Sequence, residues 1–474
     1  MKRRKMTRCL CALIASACVA PALGTAKAYA AAPLPALSAG ATTPAQYGAI
    51  AYEKYSLANG LEVILHEDHA IPLVAVNVWY HVGPVNEPPG RSGFAHLFEH
   101  LMFEGSRHVG PNFDKLLEAA GATNSNGTTG WDRTNYFETV PRQYLELVLW
   151  IESDRMGFLR DAITQERLDL QRDVVKNERR QSYENAPYGP STLTFLDTLF
   201  PKGHPYHGAV IGSMKDLSAA TLRDVHSFAD TYYVPSNATL AIVGDFEPQT
   251  TKTWIEKYFG SLRTQARPMR QTSQWAPVAE PTRTVVREPV EIAKIAQGWV
   301  TPPAYTDSHA PLEILASILA DGKSSRLYRS LVVDKRLAVD VSADLDANAL
   351  GSVFAIDAMV ARGASVENVE RELELELTRI STSDPTADEV ARAKKRTKLQ
   401  FEQQLELLNA GSGESGRAGL LQRFNHYLGN PGAFSAWQSR LNSVTAKEVS
   451  RVAAEYLTKA RRVTVVTERA EAKQ

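Results

Sequence analysis

Residues 93–105 read GFAHLFEHLMFEG. Leu97, Phe98, Leu101 and Met102 recur at helical spacing, so the stretch predicts a helix entering a core from about Gly93 to Phe103. His96, Glu99 and His100 interrupt that apolar run. Each polar group buried without a partner costs roughly 1–3 kcal/mol on mutational scales, so the three demand partners. Residues four apart on a helix lie on one face, a turn apart, which sets the two imidazoles side by side with Glu99 next to them. Two imidazoles at this spacing suit a divalent metal, and His-x-x-Glu-His is the inverted form of the common zinc-site order His-Glu-x-x-His. A catalytic zinc needs a third protein ligand and an open position, and Glu99 is placed to act as general base beside it.

The third ligand has to come from elsewhere. The helical stretch RLDLQRDVVKNERRQSYEN (167–185) offers Glu178, with Asp173 and Glu184 as competitors. Spacing alone leaves the choice open.

Outward from this helix, LEVILHED (61–68), LVAVNVWYHVG (73–83), TNYFETV (134–140) and TLAIVGDF (239–246) read as strands by β-branched content and alternation. Ser92 is positioned to cap the His96 helix. FDKLLEAAG (113–121) and the patterns at 141–160 and 164–184 read as further helices. Residues 262–283, LRTQARPMRQTSQWAPVAEPTR, are proline-bearing, polar and non-periodic, and read as a linker. After them the plan restarts. Strand-like 292–300 leads to a helix at 311–320 in the relative place of the His96 helix, then a strand at 351–360, helices near 363–380 and 386–409, and a closing strand at 461–468. Two halves of similar order predict an α+β fold of two homologous domains, each a largely antiparallel sheet packed with helices. The zinc-binding domain is expected at 47–261 and its partner, without the histidine pair, at 284–474. NAGSGESGRAG (409–419) reads as a flexible interruption between helices, and His204 and His207 in GHPYHG as structural or substrate-lining histidines.

The 474-residue chain is 44% hydrophobic and 22% charged, an ordinary globular balance. Its first thirty residues differ: a basic start, MKRRKMTR, an apolar middle, CLCALIASACVAPALG, and a small-residue end at Ala30. This predicts a secretory signal peptide over 1–30, with an Ala/Pro/Thr-rich disordered leader to residue 46. The secreted chain is expected in the periplasm. All three cysteines, Cys9, Cys11 and Cys18, fall inside the signal, so the mature chain enters an oxidising compartment without disulfides and relies on a large core or a metal. Removing six basic residues from 53 leaves 47 against 53 acidic, a net of about −6, which excludes the basic footprint of a nucleic-acid binder. No later segment is apolar enough to span a membrane.

Several stretches together resemble the pitrilysin/insulinase family of zinc peptidases, from about Tyr47 to about Glu468. GFAHLFEHLMFEGS (93–106) resembles its zinc helix, NGTTGWDRTNYFETVP (126–141) its edge strand beside the active site, and QRDVVKNE (171–178) its third-ligand helix. NATLAIVGDFEP (237–248) resembles the end of its first domain and GKSSRLYRSL (322–331) a segment of its second. The resemblance implies His96, His100 and Glu178 as ligands of one Zn2+, Glu99 as general base, and Asn126 and Gly127 as contacts to substrate backbone. Family members often carry a glutamate seven residues before the third ligand. Here Gln171 stands there, keeping a hydrogen bond and losing a charge. Active members also supply an Arg and a Tyr from a later domain, and aligning SRLYRSLVVDKRLAV (325–339) puts Val332 and Val339 in their places. One donor aimed at a developing oxyanion is worth roughly 10²–10³ in rate. The expectation is therefore a zinc endopeptidase acting on peptides or unfolded segments, with a related zinc-less subunit bringing the Arg/Tyr pair in a heterodimer. The alternatives are a slow self-sufficient homodimer and a non-catalytic scaffold or chaperone-like subunit.

Overall fold

All seven residues of Ala238–Gly244 are buried, and nearly all of Leu73–Tyr80. A strand with one solvated face would alternate, so both faces of this sheet are covered. The computed structural model describes residues 50–272, 275–278 and 280–470; the expected signal peptide and leader lie outside the described residues. The first half runs β1 (Glu53–Ser56), β2 (Glu62–Glu67), β3 (Leu73–Tyr80), α1 (Phe94–Leu101), α2 (Phe113–Ala119), β4 (Thr123–Thr129), β5 (Thr134–Pro141), α3 (Leu145–Phe158), α4 (Gln165–Arg179), α5 (Gly189–Leu199), α6 (Met214–Ala219), α7 (Leu222–Tyr232), β6 (Ala238–Gly244) and α8 (Pro248–Phe259). The second runs β7 (Thr282–Glu288), β8 (Lys294–Thr301), α9 (His309–Ala320), β9 (Ala338–Asp346), β10 (Ser352–Val360), α10 (Val366–Thr382), α11 (Ala387–Leu405), α12 (Gly416–Leu428), α13 (Phe434–Ser443), α14 (Ala446–Tyr456) and β11 (Val463–Arg469).

The strands form two sheets, ordered β1-β2-β6-β3-β5-β4 and β7-β11-β8-β10-β9. Setting β1 aside, the two repeat one pattern. A parallel pair, β2 with β6 or β7 with β11, is followed by three antiparallel pairings. The last strand of each half inserts between its first two, which gives the duplication predicted from the order of elements a common topology. The fold is thus two largely antiparallel sheets, each packed with helices. The described residues between α8 and β7 belong to no named helix or strand, and Trp275 and Val278 among them pack into apolar clusters. β7 starts at Thr282, inside the stretch read as linker.

Each half has its own main core. In the first, Val76, Val78 and Leu240 of the sheet meet Phe94, Phe98 and Leu101 of α1 and Val148 and Ile151 of α3. In the second, Ile295 and Phe354 meet Leu315 and Leu319 of α9 and Leu373 of α10. The opposite sheet faces are covered reciprocally. α12 of the second half lays Leu420, Leu421 and Phe424 on Ile64, Ala75 and Ala241 of the first sheet. α5 of the first half lays Phe195, Leu196 and Leu199 on Ala296, Val353 and Val465 of the second. The segment 409–419, read as a flexible interruption, is docked. Ser412 carbonyl accepts from Thr128 Oγ1 at 3.0 Å, Asn77 Nδ2 donates to Gly413 carbonyl at 2.7 Å, and Arg133 pairs with Glu414 at 2.7 Å. Gly413, at φ +69°, lies against Asn135 and Phe137 so closely that any Cβ would collide.

Candidate metal centre

α1 is short, and its apolar residues Phe94, Ala95, Leu97, Phe98 and Leu101 are all buried in the first core. That burial fixes the helix's rotation and turns His96 and His100 toward α4. The expected Ser92 cap does not form. Gly93 is the N-cap, at φ +90°, and a Cβ there would strike the Ile211 carbonyl. Ser92 donates instead to Asp216 Oδ2 at 2.7 Å. The orphan amides at the start of α1 go to Glu87, whose two oxygens accept from Gly93 N at 3.0 Å and Ala95 N at 2.8 Å. A carboxylate is well suited to a helix N-terminus, yet burial pushes the Glu87 carboxyl up to about 8 against the pull of those amides. Its position, six residues before the N-cap, holds no recognisable capping pattern.

α4 is capped by Thr164, which accepts from Arg167 N, and ends at Arg179. The helical pattern predicted to 184 does not continue as α-helix: Arg180–Glu184 widen into a π-helical turn. Glu178 sits in the last α-helical turn. Its Oε2 lies 3.1 Å from His100 Nε2 and its Oε1 3.7 Å from His96 Nε2. The two rings stand nearly perpendicular with centroids 4.8 Å apart. One donor atom from each of the three residues lies within 4.8 Å of the others, and no second such set of three His, Cys, Asp or Glu side chains occurs among the described residues. Asp173 and Glu184 turn elsewhere, to Lys176 and Arg179.

The electrostatics follow from the packing. Burial holds the His96 ring below the usual histidine range, the two nearby carboxylates only partly offsetting it. Burial also pulls on His100, but the bond to Glu178 and the Glu99 charge outweigh it and raise its pKa. Burial pushes Glu178 up, and the two imidazoles more than reverse this, leaving it lowered. Two half-buried imidazoles and a carboxylate converging through Nε2, Nε2 and oxygen form a donor set that fits zinc. The donor groups of Glu178 face no Lys or Arg among the described residues; its ion-pair partners there are the two rings.

Glu99 accepts from Thr129 Oγ1 at 2.6 Å, through Oε2. Thr129 is a site residue the sequence did not reveal, because only the packing of β4 on α1 brings the two together. Gly127 permits that approach: a Cβ would lie 3.0 Å from Glu99 Cγ and 3.1 Å from both Phe103 and Tyr136. Among the described residues β4 is the sheet edge, paired only with β5, and Asn126 is exposed on it next to a break in register between Thr123 and Asn126. Asn126 Oδ1 accepts from Gly127 N at 2.9 Å. The Asn-Gly pair is thus part of a strand and not a hairpin turn. Gln171 is buried and donates to Glu104.

His96, Glu178 and Glu99 line a cavity of about 780 Å³ whose far wall comes from the second half, including Tyr305, Asp346 and Arg423. Val332 and Val339 do not line it; Val332 packs on the second core and Val339 is 53% exposed on β9. His204 and His207 are held locally, by Tyr206 N and the Phe200 carbonyl. A buried pair not read from the sequence lies at the seam of the halves: His81 Nδ1 is 2.7 Å from His426 Nδ1.

A sequence profile described as Insulinase (Peptidase family M16) matches residues 62–194, and one described as Peptidase M16 inactive domain matches residues 219–397. The residues around the candidate centre fall in the first. A zinc protease, PqqE, of Helicobacter pylori is 30% identical over 433 residues, covering 90% of this chain and 95% of the relative. An uncharacterized zinc protease, YmxG, of Bacillus subtilis is 22% identical, covering 86% of this chain and 96% of the relative. Among solved structures, a protease from Helicobacter pylori superposes with a TM-score of 0.81 at 29% identity, over 88% of this chain and 99% of that one. The periplasmic protease PqqL from Escherichia coli superposes with a TM-score of 0.71 at 17% identity, over 88% of this chain and 48% of that one. Its first half alone is covered to 92%, with a TM-score of 0.69 at 18% identity.

Proposed function

The chain belongs to the insulinase family, peptidase family M16, and from that premise we propose that it is a zinc-dependent endopeptidase hydrolysing peptides or unfolded segments, as the metal-bearing subunit of a heterodimer. The observation that carries the reading is the convergence of His96, His100 and Glu178 beside a Glu99 that none of them uses. A scaffold subunit has no need of that fourth group. His96, His100 and Glu178 would hold the metal; bound there, zinc supplies Lewis acidity, polarising a peptide carbonyl and bringing the pKa of a water near 7.

The other parts of the reaction belong to the chain's own side chains. Thr129 holds Glu99 Oε2 by donating to it, which leaves Oε1 as the acceptor for a proton from the attacking water. The same oxygen returns that proton to the leaving amine. The exposed edge of β4 offers main-chain donors and acceptors to an extended peptide, which gains sheet hydrogen bonds without demanding a particular sequence. Asn126 and Gly127 lie where such a peptide would pass, and Gly127 keeps the strand close to Glu99. The division we propose is a metal-bearing domain over 47–261, a connection over 262–283 and a second domain over 284–474.

Two observations support a partner subunit. The chain has the fold of one half of a protein about twice its length. The positions where relatives' Arg and Tyr would stand, Val332 and Val339, are aliphatic and away from this chain's own cavity. The signal-like composition of residues 1–30 and the absence of cysteine after them support action in the periplasm; no helix among the described residues is long and apolar enough to cross a membrane.

Purification of the mature protein from its native source, with the mass of the complex, its zinc content and its peptidase activity measured together, tests the proposal. The expected result is a complex with a second related chain, zinc on this one, and activity that vanishes in Glu99→Gln. Full activity of the pure chain alone would remove the heterodimer. An inactive complex carrying its zinc would remove the peptidase.

A further inference from the structure

Arg133 and Arg423 line the cavity from the two halves of the chain, and they are employed differently. Arg133 is spent within the protein: its Nε donates to Glu414 at 2.7 Å, and its Nη1 to the Thr128 carbonyl and Asn135 Oδ1, each at 2.7 Å. Arg423 is not. Its Nε is buried without a hydrogen-bond partner, and no carboxylate among the described residues forms an ion pair with its guanidinium. A guanidinium keeps its charge and its N–H donors at any working pH, and desolvating it without a partner costs free energy.

Packing fixes where that guanidinium stands. Leu420, Leu421 and Phe424 of α12 rest on the first sheet, and Gln422 Nε2 donates to the Asn77 and Thr239 carbonyls at 2.7 and 2.8 Å. The rotation of α12 is thereby set, with Arg423 and, one turn on, Tyr427 at the cavity. The Arg423 guanidinium lies 5.5 Å from the centre of the Phe424 ring. The Tyr305 ring closes the same side, 5.3 Å from Phe424 and 5.8 Å from Tyr427. Tyr305 stands at φ +62°, a left-handed conformation costly for an aromatic residue, and its amide donates to His309 Nδ1 at 2.7 Å. Its hydroxyl makes no hydrogen bond among the described residues. An unpaired guanidinium beside an unpaired phenol is a donor set for a carboxylate, which the guanidinium can hold by two parallel bonds. Glu313 and Asp346 stand on the same wall and weaken its attraction at a distance, so the gain is confined to an anion in contact with Arg423.

We propose that Arg423, with the Tyr305 hydroxyl beside it, is a carboxylate subsite for the peptide held in the cavity, so that the chain selects peptides presenting an acidic side chain or a C-terminal carboxylate to its second half. This rests on the peptidase reading, in which the peptide lies along β4 on the facing wall. A purely structural Arg423 would offset Glu313 and Glu414 without touching the peptide, and its loss would weaken acidic and neutral peptides alike.

Peptide binding separates the two roles. The full mature protein as isolated, carrying Glu99→Gln so that peptides are held and not cut, is titrated with short fluorophore-labelled peptides and read by anisotropy. One peptide is neutral with a C-terminal amide, a series carries a single Glu moved along it, and one ends in a free carboxylate. A bond between charged groups is expected to tighten binding at least about tenfold over the neutral amide, and the gain to fall below about threefold when Arg423→Gln is added. A gain at one Glu position assigns the subsite to a side chain, and a gain with the free end assigns it to the C-terminus. Arg423→Lys keeps the charge without the fork and should retain part of the gain, which guards against a folding defect in Arg423→Gln. Equal affinity for all the peptides, or a gain that survives Arg423→Gln, would overturn this inference and leave the peptidase standing. No binding by Glu99→Gln together with no hydrolysis by the wild type would remove the peptidase reading, and the subsite with it.

Discussion

Glu99 and Glu178 are carboxylates beside the same two imidazoles, and their surroundings part their roles. Glu178 spends both oxygens on the rings, whereas Glu99 takes one hydroxyl and keeps an oxygen free. Replacing Glu99 by Gln is therefore expected to lower kcat by roughly 10²–10⁴, the range of a lost general base, with zinc content unchanged. Thr129→Val removes a hydrogen bond to a charged group, worth about 1.5–3 kcal/mol. It should lower kcat roughly ten- to a hundredfold, again with zinc retained, and an unchanged kcat would show Thr129 to be idle. The sequence made His96, Glu99 and His100 legible because helix periodicity brings them together locally. Glu178 lies 178 − 100 = 78 residues beyond His100 on another helix, and without the family resemblance Asp173 and Glu184 competed with it. Only packing separates them, by turning those two toward Lys176 and Arg179. Glu87, Glu104 and Thr129 left no local signal because each acts on a residue that folding alone brings near.

At the scale of elements, α5 and α12 cover sheets that belong to the other half of the chain. Phe424 is fully buried between α12 and the first sheet, and Phe195 nearly so beneath α5. Truncating either to Ala leaves a cavity costing about 3–5 kcal/mol. Urea denaturation followed in both halves, by probes placed in each, should show each substitution weakening both sheets together. Independent loss of one half would contradict the exchange. β2, β3, β5, β6, β8, β10 and β11 and the α1, α9, α10 and α11 helices were readable from period and composition, whereas β1, β7 and β9 were not and β4 was reached only through the family resemblance. The exchange was not, since a helix sandwiched by two partners loses its clean amphipathic stripe: α12 buries Gly416, Ala418, Leu420, Gln422 and Phe424 around much of its circumference. The glycines and serines of 409–419 signalled a loop correctly, but their composition could not say that Ser412 and Gly413 would be clamped on β3, β4 and β5.

The two halves meet as one molecule across His81 and His426. One ring donates and the other accepts at 2.7 Å, and His81 Nε2 reaches Thr239 Oγ1 at 3.1 Å. Burial lowers both well below 6.5, His426 beside it and nearby arginines adding to the effect on His81, and Arg270, Arg133 and Arg267 on His426. The sign follows directly: the folded rings stay neutral while the unfolded ones take up protons below about 6.5, so stability is lost as pH falls through that value. Each ring contributes roughly 1.4 kcal/mol per pH unit at most. Urea midpoints should fall between pH 7 and pH 5, and less steeply in His426→Gln; a slope equal in both would contradict the assignment. The proposed function requires one metal held by two helices of the first half. Anomalous diffraction at the zinc edge, on crystals of the mature chain grown with zinc, tests that most directly. The expected result is a single peak held by His96 Nε2, His100 Nε2 and a Glu178 oxygen, lost in Glu178→Gln; a peak elsewhere, or an empty triad with Glu178 turned away from both rings, would contradict it.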